Sequence, residues 1–249
     1  MAAAAEVEAV VPGADAGLSH TDIFFRQIHP DVQMGTNMAA VDAYAAASEL
    51  KQAAIRQALA ASISAWKHAP VLCDQLLFAR EIGAEEIATG VLIPLVDAGR
   101  MPERAPHDAK MLAVEFVAEY ASDEDIFATL KRWFGEPTFG NRYKRPVLLG
   151  MATVEPHALS DMFEPFLDIL EQERETSLVF VLGETVRSAG RQAFVDAVAQ
   201  LNRENRQRFF AICDAHEVSG VLYDITKDET GTSAIRSLRP GFVVPQYCY

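Results

Sequence analysis

Residues 37–67 read NMAAVDAYAAASELKQAAIRQALAASISAWK, a run without proline or glycine. Its apolar and small side chains recur at intervals of three and four residues, interrupted only by Gln52: Met38, Val41, Ala45, Ser48, Ile55, Leu59, Ser62 and Trp66. This spacing places them on one face of an α-helix, and abundant alanine favours that conformation. The pattern predicts one long helix, Asn37–Lys67, with Asn37 as N-cap and an apolar face that needs a partner.

Helix stop signals on both sides of this run predict shorter helices. Pro30 ends the preceding helix, and Pro70 ends the long one and opens a looser stretch to Gly83. The polar residues 122–125 form a seam between the two halves of the chain. The shorter helices expected before this seam are Thr21–His29, Ala84–Ile93 (before Pro94) and Pro106–Tyr120.

The second half repeats the order short, long, short. Its predicted helices are Ile126–Phe134, a long stretch Pro156–Glu184 and Arg191–Arg208, with a Gly/Asn/Pro-rich loop, Gly135–Pro146, after the first. The pattern is an internal repeat of architecture. We therefore expect an all-α chain with four parts: a disordered tail 1–18, a first fold 19–122, a second fold 123–227, and an irregular C-terminal tail 228–249.

The net charge of −13 argues against nucleic-acid binding by composition alone. Residues 1–122 carry 8 Lys/Arg and 16 Asp/Glu, a net −8, and residues 123–249 carry 14 and 19, a net −5. Glu6 and Glu8 replace the basic region of a secretory signal. Three scattered cysteines fit a reducing compartment, and no long apolar run predicts a membrane span. Any contact with DNA must therefore depend on local basic patches.

Several segments of the first half resemble histone 2B. Gln27–Asp31 is similar to the family's Gln-Val-His-Pro-Asp segment, which lies between a short and a long helix. Glu86–Pro94 looks like the family's Glu-Ile-Gln-Thr-Ala-Val-Arg-Leu-Leu-Leu-Pro, shortened by two residues. The stretch from Pro102 to Tyr120 is similar to its C-terminal helix. The loop before Glu86 is longer than the family's, and the chain's tails lack the usual lysines.

The second half resembles histone 2A less closely. Gly140–Arg145 looks like the loop after that family's first helix, Ala193–Leu201 resembles its third helix, and Gly220–Leu222 its docking segment. Pro165 departs from the pattern, because the long helix should be uninterrupted and proline inside a helix costs about 3 kcal/mol. The prediction is a late start or a kink there.

The order of these matches resembles a fused histone doublet of the kind found in giant viruses. That resemblance implies two histone folds paired within one chain, and a nucleosome-like packaging of viral duplex DNA without sequence specificity. It further implies a histone 3/histone 4-type partner, itself a doublet, and a location in the virion and the infected host cell, not secreted. It implies no enzyme, no catalytic residue, no metal and no cofactor.

Basic residues at predicted loops are the candidate DNA contacts. Five positive charges fall within 15 residues beside one acid, Glu136, which favours phosphate binding. A solvated loop is the alternative interpretation. Asp31–Asn37, where the family has its basic loop, contains no Lys or Arg, so we expect weak DNA binding by the first half. The candidates are Lys131, Arg132, Arg142, Lys144 and Arg145, then Arg187 and Arg191, then Arg26 and Lys67, with Arg80 weaker.

A group of acidic residues predicts a surface that binds basic partners. Glu164, Asp168 and Glu171 follow the spacing i, i+4, i+7 on one helix face. With Glu103 and Glu115 they would attract basic tails, although such a run is ordinarily a solvated face.

Two rival functions remain open from the sequence. The first is an acidic, chaperone-like protein that binds histones without wrapping DNA. The second is a small α/β enzyme in residues 146–226, with strands at Pro146–Val154 and Ser177–Leu182. The sequence has no phosphate-binding glycine loop or nucleophile elbow for it. Cys213 and His216 are its only paired candidates.

Overall fold

The computed structural model is α-helical throughout the residues that it describes, which are 37–103, 108–155, 158–172, 183, 185–215 and 229–241. No strand occurs among them. The predicted all-α class is therefore confirmed for this part of the chain. The backbone separates into two compact units, Met1–Tyr120 and Ala121–Tyr249.

The first unit contains six α-helices and one π-helical turn in its described part. The π-helical turn, Ala88–Leu92, connects two of the α-helices without interruption. The α-helices are α1 (Asn37–Ala46), α2 (Glu49–Ser64), α3 (Ala69–Glu81), α4 (Glu85–Ile87), α5 (Ile93–Asp97) and α6 (Ala109–Glu119).

The single helix predicted over Asn37–Lys67 is wrong, because the chain bends between α1 and α2. Ser48 adopts an extended conformation, with φ −63° and ψ 154°. The Gln52 amide Nε2 donates to the carbonyl of Tyr44 at 3.0 Å, and so supplies a partner to the end of α1. Gln52 is the residue that interrupts the apolar stripe, and its polar side chain forms a hydrogen bond across the bend between α1 and α2.

The looser stretch expected after Pro70 is helix α3. Pro70 lies in the first turn of this helix, where its missing N–H has no intrahelical acceptor to lose. The helix predicted to stop before Pro94 also continues, as α5, to Asp97. In both places proline begins a helical segment where we predicted an end.

Helix α3 packs against α6 to form the centre of the first unit. Phe116 on α6 and Leu72 and Leu76 on α3 are almost completely buried. The Gln75 amide, also buried, donates to Ser62 Oγ at 2.7 Å, so α3 is tied to α2 by a satisfied polar contact.

The second unit contains six α-helices and a 3₁₀ turn, Pro137–Phe139, in its described part. Residues 185–189 are also helical. The α-helices are α7 (Glu124–Gly135), α8 (Asn141–Val154), α9 (Ala158–Gln172), α10 (Arg191–Gln200), α11 (Arg203–Ala215) and α12 (Glu229–Leu238).

Several predictions for this unit are wrong. The loop expected over Gly135–Pro146 is mostly the 3₁₀ turn and the start of α8, with Pro146 inside the helix. The helix expected over Arg191–Arg208 is divided at Leu201 and Asn202. Part of the tail expected to be irregular forms α12.

Helix α9 runs through Pro165 without interruption, so the late start predicted for it is wrong. The strand Pro146–Val154 of the α/β hypothesis is also wrong, because these residues belong to α8. Its second strand, Ser177–Leu182, lies outside the described residues.

Aromatic side chains fill the core of the second unit. Phe163 contacts Phe166, Phe194 and Phe209, with ring centroids 5.4–5.7 Å apart. These rings join α9 to α10 and α11, two of the helices that α9 packs against. A separate aromatic group lies at the junction of α7 and α8.

Candidate nucleic-acid interface

The five leading candidate cations lie where α7 ends and α8 begins. Lys131 and Arg132 are exposed on the last turns of α7, and Arg142 is exposed at the start of α8. Lys144 and Arg145 on α8 are half-buried. Helices α7 and α8 pack against each other, so the two groups of cations belong to one helical corner. We call these five residues the basic corner.

Three buried aromatic side chains hold this corner in shape. Trp133 on α7 stacks on Phe139 of the 3₁₀ turn, with centroids 5.2 Å apart and planes 13° apart. Phe139 in turn meets Tyr143 of α8 edge-on at 6.0 Å. All three are buried. Because such pairs add to the burial of apolar area, the turn between the helices is fixed by its own side chains.

Two of the cations rest on aromatic rings. The Arg142 guanidinium lies 4.5 Å from the centroid of Tyr143 and donates to the Tyr143 hydroxyl. Lys144 Nζ lies 5.9 Å from the centroid of Phe134. A cation–π contact orients a positive group without opposing it with a full negative charge. Lys131 and Lys144 form no ion pair with the described residues.

Backbone polarity adds to the positive character of the corner. Helix α8 begins after Gly140, whose φ of 75° lies in the region that favours glycine, so the residue at the N-cap position has no side chain to bond the first N–H groups of the helix. Such N–H groups and the helix dipole favour anions. The only acid in the segment, Glu136, accepts a hydrogen bond from the Thr138 hydroxyl at 2.7 Å. The local environment suits a phosphate group.

The remaining candidate cations lie elsewhere. Arg187 is exposed and Arg191 half-buried, on either side of Gly190 in the second unit. Lys67 is exposed beyond the end of α2 in the first unit, and Arg26 lies outside the described residues. The weaker candidate Arg80 is paired with acids of α6, Glu115 at 3.6 Å and Glu119.

The five candidate acids divide between the two units, and four of them contact basic residues. In the first unit Glu103 pairs with Lys110 at 2.6 Å, and Glu115 with Arg80. In the second unit, Asp168 and Glu171 on α9 both pair with Arg208 of α11. Glu164 is exposed.

Arg208 binds this acidic face of α9 from a neighbouring helix. Its Nη2 donates to Asp168 Oδ1 at 2.5 Å and to Glu171 Oε2 at 2.6 Å. The hydrogen bond from Arg208 lowers the pKa of Glu171. Arg208 is not among the residues predicted from the sequence, and it lies 37 residues beyond Glu171, where no short spacing relates the two. The acidic face is therefore partly neutralised by its own chain.

The thiol of Cys213 offers no basis for catalysis. It is 3% exposed, and burial raises its pKa to about 12, so that it stays protonated at neutral pH. Its suggested partner His216 lies outside the described residues. Among the described residues, no group of three or more His, Cys, Asp or Glu side chains is arranged to hold a metal ion. No helix in this part of the chain has the length and apolar character needed to cross a bilayer.

Comparisons of the chain with protein-family models, with curated proteins and with solved structures give no match.

Proposed function

We propose that this protein packages duplex DNA without sequence preference, together with a histone 3/histone 4-type partner, and that the basic corner is its main phosphate contact. The proposal combines the resemblance to a histone doublet with the grouping of five cations on one helical corner. In the proposed particle the two halves act as paired histone folds within one chain. Fusion would keep the halves at high effective concentration.

The observation that carries the proposal is the environment of the basic corner. Five cations within 15 residues accompany a single acid, although the chain as a whole is strongly acidic. Two of these cations rest on aromatic rings, and the start of α8 adds the positive end of a helix dipole. All of these groups bind phosphate oxygens, which every DNA sequence presents alike. Binding would therefore follow backbone shape and not base identity.

The first unit is proposed to contribute less to DNA binding. Its arginines Arg56 and Arg80 and its Lys110 pair with acids of the same unit. The first half of the chain has a net charge of −8, and the second half has a net charge of −5. The first half therefore repels the phosphate backbone more strongly. We therefore expect complexes that dissociate at lower salt than complexes of basic histones.

The direct test is the salt dependence of DNA affinity for Lys131→Gln/Lys144→Gln. Removing one phosphate contact makes the slope of log Kobs against log salt shallower by about 0.9, so the double variant is expected to reduce the slope by about 1.8. The matched control, Lys51→Gln/Arg100→Gln, makes the same change of net charge on exposed positions of the first unit. Equal changes in both variants would refute the assignment of the basic corner.

Nuclease protection tests the packaging role itself. The chain is mixed with a histone 3/histone 4 pair and duplex DNA, the salt is lowered, and the complex is digested with micrococcal nuclease. A discrete fragment longer than the pair alone protects would support the proposal. Binding to the histone pair without added protection would favour the acidic, chaperone-like alternative, for which the net charge of −13 is the supporting observation.

A further inference from the structure

A second cationic site lies in the second unit, in an open pocket of about 660 Å³ between α11 and the end of α12. Residues 203, 206, 207, 210 and 214 line it from one face of α11, at the spacing of successive helical turns. Leu238, Arg239 and Pro240 line it from the end of α12. The described part of the lining thus contains three arginines and one acid.

The guanidinium of Arg206 is fixed by the end of a neighbouring helix. Its Nη2 donates to the carbonyls of Ala199 at 3.0 Å and Leu201 at 2.8 Å, where α10 ends. Its Nε is buried and has no hydrogen-bond partner in the described part of the chain. A buried donor without an acceptor is unfavourable, but Nε lies out of reach of a ligand in the open pocket, which can meet this guanidinium only at its terminal nitrogens.

The one acid in the described lining of the pocket is already paired. Asp214 accepts two hydrogen bonds from Arg239, at 2.8 and 2.7 Å, and the Arg239 guanidinium also lies 5.3 Å from the centroid of Phe210. This paired geometry is the strong form of an arginine–carboxylate contact. Asp214 therefore does not compete for the other two arginines.

Arg203 supplies an exposed guanidinium at the first turn of α11. The N-terminus of α11 is capped by Asn202, whose Oδ1 accepts a hydrogen bond from the Asn205 N–H at 2.8 Å. The apolar side chains of Phe210, Ala211, Leu238 and Pro240 form much of the remaining lining. The pocket thus combines a cationic end with an apolar wall.

From this combination we infer that the pocket binds a small organic phosphate monoester. The phosphate group lies between the guanidinium groups of Arg203 and Arg206, and the organic substituent lies against Leu238 and Pro240. Arginine suits the oxygens of a phosphate because its donors form a planar fork. This site is separate from the basic corner and does not depend on the DNA-packaging proposal.

The test is calorimetric titration of the full chain with adenosine 5′-monophosphate, inorganic phosphate and adenosine. The monophosphate is expected to bind more tightly than inorganic phosphate, and adenosine without its phosphate is expected not to bind. Arg203→Ala is expected to weaken monophosphate binding about tenfold, the effect of removing one charge-assisted hydrogen bond. Because Arg203 is exposed, this substitution leaves the core intact.

The control is Arg236→Ala, which removes an equal charge from an exposed position on α12 outside the pocket. Unchanged affinity in that variant supports the site. Equal weakening in both variants, equal binding of adenosine, or no binding of the monophosphate would overturn it. If duplex DNA displaces the monophosphate and Arg203→Ala weakens DNA binding equally, the pocket belongs to the DNA interface and the small-ligand assignment is wrong.

Discussion

The two units of this chain use their basic side chains differently. In the first unit Arg56, Arg80 and Lys110 contact the carboxylates of Glu86, Glu115 and Glu119, and Glu103. In the second unit two arginines also pair with acids, Arg208 and Arg239. The second unit has in addition a corner where Arg142 and Lys144 rest on aromatic rings.

This difference teaches that net charge is a poor guide to where an acidic protein can bind anions. A carboxylate both positions a cation and neutralises it, whereas an aromatic ring positions it and leaves most of its charge. We therefore propose that the basic corner attracts phosphate within a chain of net charge −13. Parallel substitutions in the two units test whether DNA binding depends on the second unit and not on the first.

The largest effect is expected from removing a core side chain in each unit. Trp133→Ala and Phe116→Ala each delete a ring that is at most 1% exposed, and each is expected to cost about 3–5 kcal/mol of unfolding free energy. Only Trp133→Ala is expected to weaken DNA binding, because Trp133 supports the basic corner. Urea unfolding and DNA titration measure the two quantities.

Trp133→Phe provides the control, since it keeps a ring in place and is expected to retain most of the DNA affinity. If Phe116→Ala weakened DNA binding as much as Trp133→Ala, while both variants remained folded, the distinction between the units would fail.

A smaller effect is expected from removing one helix cap in each unit. Asp123 accepts hydrogen bonds from the N–H groups of Asp125 and Ile126, both at 3.0 Å, at the start of α7. Asp108 accepts from the Met111 N–H at 3.1 Å at the start of α6. Replacing either by alanine is expected to cost about 1 kcal/mol. Hydrogen exchange should increase in α7 for Asp123→Ala and in α6 for Asp108→Ala; increased exchange in both helices for one variant would contradict this.

The smallest effect is expected from the ion pair between Arg208 and the acids of α9. Hydrogen bonding to Arg208 lowers the pKa of Glu171, so its stabilisation is complete above the ordinary value of 4.5 and is lost as the pH falls through the lowered value. Glu171 is 42% exposed, and we therefore expect Arg208→Gln to cost less than about 1 kcal/mol at pH 7.

The unfolding free energies of Arg208→Gln and the unsubstituted chain should approach each other as Glu171 is protonated. Thermal unfolding at a series of pH values measures this. Arg80→Gln in the first unit is the comparison, since it removes the pairs to Glu115 and Glu119 and should leave the acids of α9 unaffected. A destabilisation by Arg208→Gln that persisted unchanged in acid would contradict the ion-pair explanation.

The helical class of the described residues could be predicted from the sequence, and so could the approximate bounds of α7, predicted as Ile126–Phe134, but several other helix boundaries could not. Three- and four-residue spacing and abundant alanine identify helix correctly around Asn37–Lys67. Proline caused several of the errors, because Pro70 and Pro94 were expected to stop a helix and Pro146 to close a loop. In the structure Pro70 and Pro94 occupy first turns, and Pro146 lies inside α8. The sequence alone does not say on which side of a proline the helix lies.

The position of the candidate site could be predicted from the clustering of Lys and Arg, but the packing of its side chains could not. Counting Lys and Arg identified Lys131–Arg145, because the signal is local in sequence. The ring of Phe134 beneath Lys144 was not identified, and neither was the aromatic support from Trp133, Phe139 and Tyr143, since these contacts form only when α7 packs against α8. The same limitation applies to Arg208 and Arg239, whose acidic partners lie 37–40 and 25 residues away.

The contact of Arg206 with the end of α10 has a consequence for ligand affinity. An arginine side chain carries about 2 kcal/mol of rotamer entropy, which a flexible surface arginine loses when it binds. Here folding has already restricted the guanidinium, because Nη2 is held by the carbonyls of Ala199 and Leu201. The pocket is thus preorganised for an anion. Because Arg206 would contact both the end of α10 and the ligand, this side chain links ligand binding to the end of that helix.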